Sequence, residues 1–156
     1  MAIRRIRTEG EDILRMHCKP VKEITESTRK LIDDMFDTMY SANGVGLAAP
    51  QIGILRRIAV VDDTQGNKVA LINPVITFSE GEQTCTEGCL SLPGYQGEVV
   101  RAKKIRIESL NEKGEPVTIE AEDFFAVVCQ HEIDHLDGVL YKDKAENYRR
   151  QEEQQQ

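Results

Sequence analysis

The stretch "CQHEIDHLDG", residues 129–138, sets two histidines four positions apart with a glutamate directly after the first. On a helix, that spacing puts His131 and His135 one turn apart on one face, their Cβ atoms about 5–6 Å apart and able to share a metal ion. Glu132 follows about 100° around the helix from His131, beside the imidazoles and not among them. A general base for a metal-activated water belongs there. Val128 and Phe124 continue the histidine stripe upstream. One helix face is thus expected to be apolar at its start and metal-binding at its end, as the floor of a pocket. The bland alternative is two histidines that share a row by coincidence, each bonded to a neighbouring carboxylate; the full H-E-x-x-H pattern outweighs it. His17, the one other histidine, sits in the polar stretch "RMHCKP" without partner spacing and is expected to be structural or exposed.

Two imidazoles do not complete a site. A third histidine in the pattern H-E-x-x-H-x-x-G-x-x-H would fall at position 141, where this chain has the glycine, Gly138, but then Tyr141. The downstream glutamates Glu146, Glu152 and Glu153 belong to a charged segment with no expected helix to pack it on the core. Upstream, "TCTEGCLSLPG" offers Cys85 and Cys89. Cys89 is the better third ligand, because Gly88 lets the backbone approach closely and Pro93 limits the chain that follows. On spacing alone it could also be a small buried apolar residue. Cys85 lies in a polar, strand-like stretch and suits the core equally. Cys129 precedes His131 by two positions, faces about 200° away and is expected to pack inside. Cys18 has no context.

Positioning these residues needs a scaffold. From Glu23 to Ala42 the apolar residues Leu31, Ile32, Met35, Phe36, Met39 and Tyr40 recur at helical period, with Thr25 as N-cap and "NG" at Asn43 and Gly44 to close the helix. Two β-hairpins follow in outline: "RIAVVDD" with "KVALINPVITF" across "TQGN", and "KIRIESL" with "PVTIEAE" across "NEKG". The metal-binding helix is expected from about Ala121 to Leu136, opening on Glu122 and Asp123 and stopping near Gly138. The expected class is α+β: mostly antiparallel β-sheets packed around a C-terminal metal-binding helix, with an N-terminal amphipathic helix. Residues 1–146 are expected to form one catalytic domain, and residues 147–156, "NYRRQEEQQQ", a polar tail that is frayed or disordered.

Composition limits the partners. A net charge of −7 argues against a nucleic-acid footprint, which needs a surplus of Lys and Arg. The local run "RAKKIR", Arg101 to Arg106, reads as the solvated face of a strand. The longest wholly apolar run, "FFAVVC", has far fewer than the ~20 residues that cross a bilayer, so no membrane is expected. The acidic stretch after "MAIRRIRTEGED" stands where an export signal would place its apolar segment. The expectation is a soluble cytoplasmic protein whose cysteines are not bridged.

A further stretch, "GVGLAAPQIG", residues 44–53, joins these features. "GVGLAAPQ", "EGCLS" and "QHEIDH" resemble the signature motifs of the peptide deformylases in their usual order, and "EDILRMHCKPV" resembles that family's early Leu-Arg segment. The likeness runs from about Ala2 to Lys144.

The resemblance implies a metal held by Cys89 Sγ, His131 and His135, usually Fe²⁺, with Zn²⁺, Ni²⁺ or Co²⁺ able to replace it. It implies hydrolysis of the N-formyl group of nascent peptides that begin with formylmethionine, releasing formate. Glu132 would take the proton of the attacking water and pass it to the departing amine, while the Gln51 side-chain amide and the Leu90 backbone N–H stabilise the oxyanion. Gly46 would meet the substrate backbone, with Gly88 counted among the substrate-binding residues. Val45, Phe124, Val128 and the edge of His131 would hold the methionine side chain. Some members carry a basic C-terminal helix that contacts the ribosome; with only Arg149 and Arg150 as a basic pair near its end, this chain is expected to make at most a transient ribosome contact. Two other readings predict different behaviour. A broader H-E-x-x-H metallopeptidase would cleave internal amides, and a non-catalytic zinc module would close its site with Cys85, Cys89, His131 and His135.

Overall fold

The structure, a computed structural model, describes residues 2–151. Helix α1 spans Glu26–Ser41, and its N-terminus is closed by Thr25 and Thr28, each side chain accepting from the other's backbone N–H. Its C-terminus turns on Asn43, at φ 58°, with Asn43 N–H donating to Tyr40 O and Gly44 N–H to Met39 O. This left-handed cap satisfies the last carbonyls and aims the chain into the next strand. The strands are β1 (Gly46–Ala48), β2 (Ile58–Asp62), β3 (Lys68–Glu80), β4 (Gln83–Glu87), β5 (Tyr95–Arg101), β6 (Lys104–Leu110) and β7 (Pro116–Glu122). Helix α2 is Asp123–Leu136, and a last strand, β8, is Glu146–Arg150.

The strands form two antiparallel sheets, in the orders β1-β2-β3-β6-β7 and β4-β5-β8. Side chains alternate across the larger sheet, and at β1, β2 and the first half of β3 both faces are covered, while β6 and β7 leave one face to solvent. Ala59, Val61 and Leu71 meet Ala126, Cys129 and Ile133 of α2 on one face. Ile58, Val60, Ala70 and Ile72 meet Leu31, Ile32, Met35 and Met39 of α1 on the other. This explains why "IAVV" of β2 is apolar without alternation: a strand buried on both sides needs no polar face. A third, smaller cluster holds Leu14, Leu92, Val99, Leu140 and Tyr141, with Cys89 and Tyr148 packed against it.

The α+β class, the amphipathic first helix and both expected hairpins are present. Two expectations need correcting. Ala121 and Glu122 belong to β7, where they pair with Ile105 and Lys104, so α2 begins at Asp123 and not near Ala121. Residues 147–150 are not frayed: Tyr95 pairs with Arg150 and Gln96 with Arg149, because β5 offers β8 a free edge. The rest of the expected tail, residues 152–156, lies outside the described residues. Among the described residues, no helix is long and apolar enough to cross a membrane.

Met35 is fully buried between α1 and β2. Met35→Ala should destabilise the metal-free chain by about 2–5 kcal/mol, measured by urea unfolding, with no change in which metals bind.

Candidate metal centre

Helix α2 buries its apolar side against the larger sheet and turns His131, Glu132 and His135 towards the region between the two sheets. The turn after β4 brings Cys89 there from the smaller sheet. One donor atom from each of Cys89, His131 and His135 lies within 4.8 Å of the others. Cys89 Sγ is 3.4 Å from His135 Nε2, close to the ~3.6 Å between sulfur and nitrogen ligands on one tetrahedral zinc-sized ion. A thiolate with two imidazoles is also a donor set for a borderline-soft transition metal. The residues therefore fit an ion.

The imidazoles are held differently. His131 Nδ1 is 2.8 Å from Glu87 Oε1, and with its proton on Nδ1 this ring donates to Glu87 and leaves Nε2 for a metal. Glu87 in turn accepts from Arg101 at 2.5 and 2.9 Å, and Arg101 reaches Asp134 of α2 at 3.0 Å. Burial works against charge on Glu87, but hydrogen bonds from His131 and Arg101 outweigh it and hold its carboxyl below the usual range. Burial likewise disfavours charge on His131, yet Glu132, Cys89 and Glu87 together raise its pKa well above the ordinary value. No carboxylate is hydrogen-bonded to His135, whose Nδ1 has no partner. Burial, then the positive charge of His131 and Arg101, keeps it well below the normal imidazole range, the neutral form a ligand needs.

Glu132 is buried, and its Oε1 has no hydrogen-bond partner. Burial pushes its carboxyl up to about 7 in the metal-free chain; a dication beside it would draw that value down again. The backbone of β1 passes so close that a Cβ at position 46 would overlap the Glu132 carboxylate, so glycine is required there. Gln51 sits in a 3-10 turn, Ala49–Ile52, where its Oε1 accepts from Ala48 N–H at 2.9 Å. That cap directs Nε2 to Ser91 Oγ at 3.0 Å and towards Cys89 Sγ at 3.6 Å.

An open cavity of about 440 Å³ lies above these groups. Its wall includes Val45, Gly46, Gln51, Gly88, Cys89, Leu90, Phe124, Val128, His131 and Glu132, so the residues singled out in the sequence converge on one space. His135 lies behind the wall, almost fully buried. Cys85 lines the cavity but stands outside the ligand group, so the closed four-ligand zinc module is not formed. Cys129 and Cys18 are core residues, and His17 is exposed.

Sequence reasoning missed Glu87, Arg101 and Ser91. Arg101 was expected on a solvated face, whereas it is 5% exposed and paired with Glu87. The glutamate of "EGCLS" was a visible signal, but its partners are 14 and 44 residues away.

An H-E-x-x-H helix with a cysteine as third donor, beside an open cavity, defines the centre of a mononuclear metal-dependent hydrolase. The family profile described as polypeptide deformylase matches residues 3–151. A peptide deformylase of Acetivibrio thermocellus is 53% identical over 144 residues, spanning 92% of this chain and 84% of that protein. The crystal structure of a peptide deformylase from Legionella pneumophila matches with a TM-score of 0.90 at 45% identity, covering 94% of this chain and 88% of that one. A peptide deformylase from Synechococcus elongatus in complex with actinonin matches with a TM-score of 0.87 at 40% identity, covering 91% and 78%. The chain belongs to the polypeptide deformylase family.

Because Glu87 orients His131 and neutralises the buried Arg101, Glu87→Gln should destabilise the chain by about 3–5 kcal/mol in urea unfolding and, in the folded chain, weaken metal binding about 10- to 100-fold, read by competition with a chelator for Zn²⁺.

Proposed function

We propose that this chain removes the N-formyl group from the N-terminal formylmethionine of newly made polypeptides, releasing formate, with Glu132 as its general base and acid. The observation that carries the assignment of Glu132 is its buried, unpartnered Oε1 in the cavity wall beside the ligand group. An ion held by Cys89, His131 and His135 would supply Lewis acidity and lower the pKa of a water. The other steps fall to the chain's own side chains and backbone.

Glu132 takes the proton of the water that attacks the formyl carbon, and returns it to the amine nitrogen as the C–N bond breaks. Gln51 Nε2, already held near Cys89 Sγ, and the Leu90 backbone N–H donate to the oxyanion, each worth about 3 kcal/mol in comparable holes. Val45, Phe124 and Val128, with the edge of His131, give the methionine side chain an apolar pocket. β1 is an edge strand, and Gly46 and Gly88 both line the cavity, so an extended substrate backbone has unobstructed main chain on either side.

Fe²⁺ is the proposed ion, with Zn²⁺, Ni²⁺ or Co²⁺ as substitutes. The thiolate offsets one of its two charges and makes the site softer than an all-nitrogen one. The substrate places the work in the cytoplasm. Contact with the ribosome is proposed to be transient, since Arg149 of the expected basic pair is already tied to Glu98 at 2.6 Å.

Two measurements test this reading. Glu132→Gln should retain metal and lose about 10²- to 10⁴-fold in formate release from formyl-Met-Ala-Ser; activity equal to the parent's would remove Glu132 from its role. Chain loaded with Fe²⁺ under anaerobic conditions should lose turnover on exposure to air, whereas chain loaded with redox-inert Zn²⁺ should keep its own.

A further inference from the structure

We infer that β8 is the back wall of the metal centre, and that Tyr148 is a positioning residue for the ligands. The inference rests on the metal-site reading above. Four rings run in sequence from β5 to α2. Tyr95 stacks on Tyr148 with centroids 5.2 Å apart and planes at 12°, Tyr148 meets Tyr141 edge-on at 5.8 Å, and Tyr141 stacks on His131 at 5.8 Å and 24°. Tyr141 is 1% exposed, so it has no solvent to move into on the side of the His131 ring that it covers, opposite the space that ring shares with the cavity. Cys89 and Tyr148 pack against the same apolar cluster.

The stack supplies what the hydrogen bond to Glu87 cannot. A metal-binding lone pair lies in the plane of the imidazole, and the bond at Nδ1 fixes one point of the ring without fixing the plane. Contact across the ring face blocks the remaining rotation. Tyr141 provides that contact, and Tyr148, covered on its other side by Tyr95, holds Tyr141 in place. β8 comes close enough to do this because Gly97 of β5 has no side chain: a Cβ there would stand 2.8 Å from Ala145 Cβ and 3.4 Å from Tyr148 Cα. The strand at the end of the described chain therefore acts on ligands that come from the loop after β4 and from α2.

Metal-free full-length chain is titrated anaerobically with Co²⁺, reading both affinity and the thiolate-to-cobalt charge-transfer band. Tyr148→Leu should weaken Co²⁺ binding at least tenfold and shift the band, whereas Tyr148→Phe, which keeps the ring, should stay within twofold of the parent. Gly97→Ala presses on β8 without altering a ring or a ligand and should weaken binding severalfold, which keeps the inference testable even if Tyr148→Leu does not fold. Leu31→Ala, in the α1 cluster, lowers stability far from the stack and should leave affinity and band unchanged. Parental binding by both Tyr148→Leu and Gly97→Ala would overturn the inference. So would equal losses in Tyr148→Phe and Tyr148→Leu, or in Leu31→Ala. A parent chain that does not bind Co²⁺ would instead sink the metal-site reading itself.

Discussion

The centre depends on one buried carboxylate. Glu87 at the end of β4 accepts from Arg101 of β5 and from His131 of α2, while Arg101 also grips Asp134 one turn of α2 further on. A charge in this setting is costly unless every partner is in place, so the arrangement is all or nothing. Buried ion pairs seldom add much net stability. What this one fixes is position: it ties the smaller sheet to the helix on the larger sheet, and it does so two residues before Cys89. The sulfur and the imidazoles come from different layers of the fold, and Glu87 sets their separation.

Around that tie, burial is used in opposite ways. Helix α2 buries Ala126, Cys129 and Ile133 in the sheet face and so gains hydrophobic stabilisation along one side. On its other side it buries His135 Nδ1 and Glu132 Oε1 without partners, an arrangement that disfavours folding. The first offsets the second. Unsatisfied buried atoms call for an explanation, and the proposed role of Glu132 as general base would supply one: a carboxylate already satisfied by hydrogen bonds is a poorer acceptor for a water proton. The close passage of Gly46 over the same carboxylate shows how little free volume is left beside it.

Much of the site was legible because its signals are local. A spacing of four on a helix fixes His131 and His135 on one face whatever the rest of the chain does, and the period of Leu31 to Met39 defines α1 in the same way. Gly88 and Pro93 beside Cys89 already favoured it over Cys85, and the likeness of "EGCLS" to a family motif strengthened that choice. The residues that hold the ligands were harder to read. Arg101 lies in a run that alternates like a solvated strand, and nothing in its neighbours shows that one of its charges turns inward to meet Glu87.

The sequence by itself determined the α+β class, the metal-binding face of α2, the hairpins and the family. Tertiary structure decided that the strands divide into two sheets, that helices cover both faces of the larger one at β1, β2 and the start of β3, and that residues Glu146–Arg150 form a strand on the free edge of β5. The physical reason is range. Periods of 3.6 and 2 are written within a few residues, but a free sheet edge, a buried ion pair or a ring stack exists only after distant segments have met, and its members carry no mark of each other beforehand.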